Sequence, residues 1–149
     1  MIVGGHGIEI DLPDGWEGRL YRRRGAYPVL HAGSFALPHG DGDFGSGSIV
    51  AMWDGDVFVA LLEYDPALAG TALFAAPGLP LPVRVTDLSP AAFRRRTPGR
   101  VAVQRFFNDG GRAFCLYFVL AVGGAINPRR RMREANRILR TVRIIRVDT

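Results

Sequence analysis

The chain predicts an α+β fold: an antiparallel β-sheet of about six strands, packed by a C-terminal α-helix and one or two short helices. Three observations carry that expectation. Apolar residues alternate with a period of two in several segments, as in Ile8, Ile10 and Leu12 against Glu9 and Asp11. Asn108-Asp109-Gly110-Gly111, whose residues tolerate positive dihedral angles, separates two long strand-like runs. Sustained helical spacing comes last, in Met132, Ala135, Ile138, Leu139 and Val142. Strands followed by one late amphipathic helix build layers rather than alternating strand-helix units around a parallel sheet.

Each element follows in order. The strand through Ile8–Leu12 ends at Pro13-Asp14-Gly15, where proline presets the turn and glycine accepts a positive angle. Trp16–Arg22 and Val29–Leu37 read as the next two strands, joined across Arg23–Pro28 as a hairpin with a longer loop. Pro38–Ser48, rich in glycine and aspartate, is a loop, with Ser46 or Ser48 as the cap of a short helix through Met52. After the Asp54-Gly55 turn, Val57–Tyr64 is apolar on both parities, the pattern of an inner strand covered on two faces. Prolines 66, 77, 80, 82, 90 and 98 deny the following stretch long helices or central strands, and Ser89-Pro90 caps a short turn ending near Arg95. Arg100–Phe107 and Arg112–Val122 are the arms of the hairpin, the second a central strand because Phe114, Leu116, Phe118 and Leu120 oppose Cys115, Tyr117 and Val119. Asn127-Pro128 then opens a helix over 128–142, one face of which packs on the sheet.

Composition bounds the class. With 149 residues, 48% hydrophobic and 22% charged, the chain is sized for a single domain over 1–149, and neither disorder nor a fibrous class fits. The longest apolar stretch, Phe114–Ala125, is far shorter than the roughly 20 residues a membrane-crossing helix needs, so no transmembrane segment is expected. The first residues lack a basic region followed by an apolar one, and the lone Cys115 rules out an internal disulfide, which together place the protein in the cytoplasm. Net charge is +5, lysine is absent, and all 19 basic residues are arginine. GC-rich coding and selection for bidentate anion pairing both produce that pattern.

Several segments carry candidate chemistry. Gly40-Asp41-Gly42-Asp43-Phe44-Gly45 has G-x-G-x-x-G spacing, but Asp41 and Asp43 repel a pyrophosphate and no strand-turn-helix unit surrounds it, so no cofactor is expected. His39, Asp41 and Asp43 stand at alternate positions, a possible set for a divalent ion in a small metal-dependent hydrolase. An EF-hand is excluded because Ser46 and Met52 occupy the positions of its glycine and glutamate. No G-x-S-x-G elbow accompanies Ser34, Ser46, Ser48 or Ser89, and none assigns His6, His31 or His39 a catalytic place. His31 shares parity with Val29, Phe35 and Leu37 and reads as a hydrogen-bonded core histidine; Cys115 reads as a buried, inert thiol.

Arginine triplets recur at Arg22–Arg24, Arg94–Arg96 and Arg129–Arg131. The last occupies a helix's first turn, where the macrodipole disfavours exposed cations by about 0.3–1 kcal/mol each. Arg129, Arg130, Arg133, Arg137 and Arg140 recur at helical steps, so the outer face of this helix is strongly basic. Its candidate partners are an acidic protein surface, nucleic-acid phosphate or an anionic membrane surface. Nucleic acid is the weaker fit, because Arg105-Phe106-Phe107, the nearest basic-aromatic pairing, lies in a hairpin arm that the core claims.

The element order, with Leu12-Pro13-x-Gly15-Trp16 after the first strand and Ile138-Leu139-x-Thr141-Val142 in the terminal helix, resembles the PsbP-like fold of photosystem extrinsic subunits and Ran-binding import factors. That resemblance implies a docking domain without chemistry of its own. The function expected is therefore a small non-catalytic binding or assembly module that contacts a protein partner through its arginine-rich face. A hydrolase using the 39–43 loop and a binder of nucleic acid or an anionic surface are the alternatives.

Overall fold

A computed structural model describes residues 1–95, 97–124 and 126–146. β1 (Ile2–Gly5) and β2 (Ile8–Asp11) pair antiparallel across the turn His6-Gly7. His6 at φ 52° and Gly7 at φ 74° both adopt left-handed angles, which a two-residue hairpin needs for its twist to match the strands. β3 (Glu17–Tyr21) and β4 (Val29–Gly33) form the next hairpin, and the 38–45 loop leads into α1 (Ser46–Ala51). β5 (Val57–Tyr64) follows, then an excursion of short 3₁₀ turns at Pro66–Gly70, Ala72–Phe74, Val85–Asp87 and Pro90–Ala92. β6 (Arg100–Asp109) and β7 (Arg112–Ala121) are the longest strands; α2 (Arg129–Leu139) and β8 (Arg143–Ile144) complete the described chain.

Mixed α+β architecture with antiparallel pairing holds, but the strands divide between two sheets. The larger has the order β3-β4-β5-β7-β6, and the smaller is β1-β2-β8. The six-stranded single sheet is therefore corrected to eight strands in two sheets. Ile8–Asp11 joins β1 and β8 rather than the meander, because the Pro13–Gly15 turn carries the chain away from it. Neither β1, with two glycines among four residues, nor the two-residue β8 carries an alternation that sequence reading can detect.

Burial explains why the larger sheet is stable. β7 is buried at every position, since its two faces meet two cores. Phe114, Leu116, Phe118 and Leu120 join Val57, Val59 and Leu61 beneath α2 and the small sheet, where Ile8, Ile10, Met132, Ala135, Ile138 and Leu139 complete the packing. On the opposite face Tyr117 and Val119 join Phe58, Ala60 and Leu62, covered by Ile49 and Met52 of the α1 segment and by Leu37. Each large side chain so buried contributes about 1.5–3 kcal/mol. Such double coverage is what apolar residues on both parities of β5 and β7 require.

Further boundaries move. The β4 strand stops at Gly33 rather than Leu37, although Leu37 remains in the core. Strand β6 extends to Asp109 while β7 begins at Arg112 as expected and stops at Ala121, leaving Gly110-Gly111 as a two-residue turn. The 128–142 helix shortens to Arg129–Leu139, which frees Arg143 and Ile144 to pair with Glu9 and Ile8. The expected cap holds at Ser89, whose hydroxyl accepts from Ala91 N; at α2 the cap position is Pro128 rather than Asn127, although Asn127 Oδ1 accepts from Arg129 N. The Ser46 or Ser48 cap of α1 does not: Gly45 is the cap residue at φ 68°, and a Cβ there would stand 2.2 Å from Phe58 Cζ. Only glycine fits that close, left-handed passage.

One buried ion pair ties the sheets together. Arg112 donates to Glu63 Oε1 at 2.5 Å and Oε2 at 2.8 Å, and also to the carbonyls of His6, Gly7 and Ile145. A bidentate carboxylate plus three carbonyls satisfies the guanidinium fully, the condition for burying a charge at all.

Candidate functional site

The terminal helix presents its arginines as its periodicity implies. Met132, Ala135, Asn136, Ile138 and Leu139 are buried, while Arg129, Arg130, Arg133, Arg137 and Arg140 are exposed. At 100° per residue these five fall within about 100° of the circumference, one continuous stripe. None makes an ion pair with a described residue. Arg131 differs: it pairs with Glu134 at 2.9 Å, and Glu134 also accepts from Trp16 Nε1 at 2.5 Å. Burial would raise the Glu134 carboxyl, but the Trp16 and Arg131 hydrogen bonds, with the charges of Arg131 and Arg130, hold it below its usual range. The first turn contains no acidic residue, so the helix keeps its macrodipole conflict.

The stripe's N-terminal end adjoins an exposed apolar side chain, Ile126, that no local motif connects with it. A cleft of about 370 Å³ separates the Asp54-Gly55 turn and Ile126 from Arg130, Arg131 and Glu134. Ile126 lies over Gly55, where a Cβ would come within 3.0 Å of its Cγ2. Ile126 is 56% exposed, and Trp53, which precedes this turn in the chain, is 79% exposed. Trp53 follows a helix of only six residues, too short a segment for its periodicity to reveal an outward face.

The structure does not bring His39, Asp41 and Asp43 together as a ligand set. Asp41 Oδ1 accepts from Gly42 N and Gly47 N, and its Oδ2 accepts from Ser48 N and Ser48 Oγ, so this carboxylate caps α1 from outside the helix. Partial burial pushes its pKa up, but these four bonds outweigh that and the net shift is downward. Asp43 pairs with Arg23 and accepts from Tyr21 Oη at 2.8 Å, while His39 Nδ1 faces Arg19 Nη2 at 3.3 Å. Among the described residues, no group of three or more His, Cys, Asp or Glu side chains is placed to hold a metal ion.

His31 and Cys115 stand where their parity puts them. His31 is 3% exposed, its Nε2 lies 2.8 Å from the Asp43 carbonyl, and its ring meets Tyr21 and Phe58 edge to face. Burial lowers its pKa to about 4; Asp41 opposes that shift, and Arg23 and Arg19 add to it. Cys115 is fully buried and its thiol is pushed up to about 12, again by burial, which keeps it protonated and unreactive. Arg105 is occupied by the carbonyls of Pro80 and Pro82 and by Asp87, and Phe107 is wholly buried. That pairing offers no open platform for stacking a base.

Of the other triplets, Arg23 is bound to Asp43 and to the Asp41 carbonyl, and Arg96 lies outside the described residues. Arg94 is exposed at the mouth of a second groove, of about 620 Å³, over the outer face of β6 and β7. Phe44, Tyr64, Phe93, Gln104 and Tyr117 line it with Arg94. Their positions span two loop segments and three strands, so no local motif announces them. Comparison with family models, curated proteins and solved structures finds no match for the chain.

Proposed function

We propose that this protein is a small binding or assembly module that docks an acidic protein partner on the outer face of α2 and the neighbouring apolar turn. The observation that carries the reading is the stripe of five exposed arginines, whose N-terminal end meets the exposed Ile126 and the Asp54-Gly55 turn that follows the exposed Trp53 in the chain. Protein contact sites concentrate binding energy in tryptophan and arginine, because an aromatic anchor buries a large area and a guanidinium pairs with carboxylates in bidentate geometry. Keeping cations in a first turn that disfavours them, without a carboxylate there to offset the cost, fits a surface kept for a partner rather than for stability. The resemblance to PsbP-like domains points to the same kind of role.

The test replaces Arg130, Arg133, Arg137 and Arg140 by Glu together, and Trp53 by Ala separately. Immobilised wild-type protein should retain a defined partner from a lysate of its source cells, with retention weakening as salt rises. Both variants should keep the wild-type circular dichroism and lose that partner. Undiminished retention by the charge-reversed protein refutes the face.

A further inference from the structure

We infer a second site, independent of the α2 face: the groove over the outer face of β6 and β7 binds a small planar aromatic carboxylate. Its volume of about 620 Å³ falls within the range of small-ligand sites. The floor is Tyr117, which is 5% exposed and sits in the most buried strand of the molecule, a rigid support for a site. Phe44 and Phe93 rise on it from separate loop segments, meeting its ring edge to face at centroid distances of 5.5 and 6.4 Å and interplanar angles of 76° and 74°. Phe44 is 42% exposed, so an aromatic face remains uncovered. A flat ring inserted here continues the edge-to-face packing and buries that face.

Polar groups at the same groove set the ligand's charge. Arg94 lines it, is exposed, and makes no ion pair with a described residue. Among the described residues no acidic side chain lines the groove, whose lining carries a positive formal charge. Gln104 is exposed beside it, and the hydroxyls of Tyr117 and Tyr64 form no hydrogen bond to any described residue. The mix of apolar walls, few convergent polar groups and one planar cation is the chemistry of carboxylate recognition on an aromatic body. A pocket beside His31 differs because its polar side chains are already engaged, Tyr21 donating to Asp43 and Asp41 accepting from Ser48.

Naphthoate, the neutral naphthylmethanol and the cationic naphthylmethylammonium are the probes, read by saturation-transfer NMR and by amide shifts of Arg94, Gln104 and Tyr117. Naphthoate should bind and shift those amides, and the alcohol should bind more weakly. Arg94→Gln should weaken naphthoate by roughly tenfold or more and leave the alcohol unchanged, while Phe93→Ala weakens both. Both substitutions lie outside the central strands, and urea unfolding of each variant verifies that the fold is intact. Naphthoate binding that Arg94→Gln leaves intact, or equal binding of the ammonium probe, overturns the carboxylate assignment. Absence of binding by all three probes overturns the site.

Discussion

Acid should destabilise this protein through one histidine before any carboxylate is involved. His31 has a pKa of about 4 in the folded chain, against an ordinary value near 6.5 once unfolding exposes it. Between those values the unfolded chain takes up a proton that the native chain refuses, so stability falls as pH falls across the window. Integrating the linkage from about pH 7.5 to about pH 5 gives a loss of roughly 2 kcal/mol. The carboxylates with displaced titration, Asp41, Asp87 and Glu134, are shifted downward, so their stabilising contribution is lost only at lower pH still. Urea unfolding followed by the fluorescence of Trp16 and Trp53 measures the difference. In His31→Gln, whose amide can still donate to the Asp43 carbonyl, the same pH change should cost several-fold less. Equal pH dependence in the two proteins, or a wild type more stable at the lower pH, refutes the assignment of a neutral buried imidazole.

Two further outcomes test the framework. Glu63→Gln leaves the Arg112 charge buried with carbonyls alone and should cost about 3–5 kcal/mol, whereas joint replacement of both residues by Leu and Met should cost less; urea midpoints decide, and a single-variant loss below about 1 kcal/mol contradicts the account. Asp41→Asn should cost about 1–2 kcal/mol because it weakens the four bonds that cap α1, and added zinc or manganese should leave the melting temperature of either protein unchanged; a metal-dependent rise confined to the wild type would restore the ligand reading of the 39–43 loop.

Much of the fold was readable because it rests on local chemistry. The Gly110-Gly111 turn, double-sided burial of β5 and β7, the irregular proline-rich excursion and the buried stripe of α2 each follow from a few neighbouring residues. The same holds for the α2 arginines, whose exposure is the complement of the apolar stripe. The small sheet escaped because β8 offers two residues and β1 two glycines, and such strands form only when a neighbour brings hydrogen-bond partners to them.

Side-chain destinations divide along the same line. Sequence alone determined which residues must be buried, since burial follows hydrophobicity and period: His31 and Cys115 went inside by the parity of their strands. Tertiary structure decided what each polar group serves. Asp41, the middle residue of a histidine-and-aspartate pattern suited to metals on paper, turns inward to cap α1, while Arg112, at the start of a hairpin arm, closes both sheets around Glu63. The Asp54-Gly55 turn facing α2 and the aromatic groove beside Arg94 likewise join residues far apart in the chain. Hydrophobic periodicity acts over one turn or one pleat, whereas a polar side chain's partner is whichever donor or acceptor the completed fold carries to it.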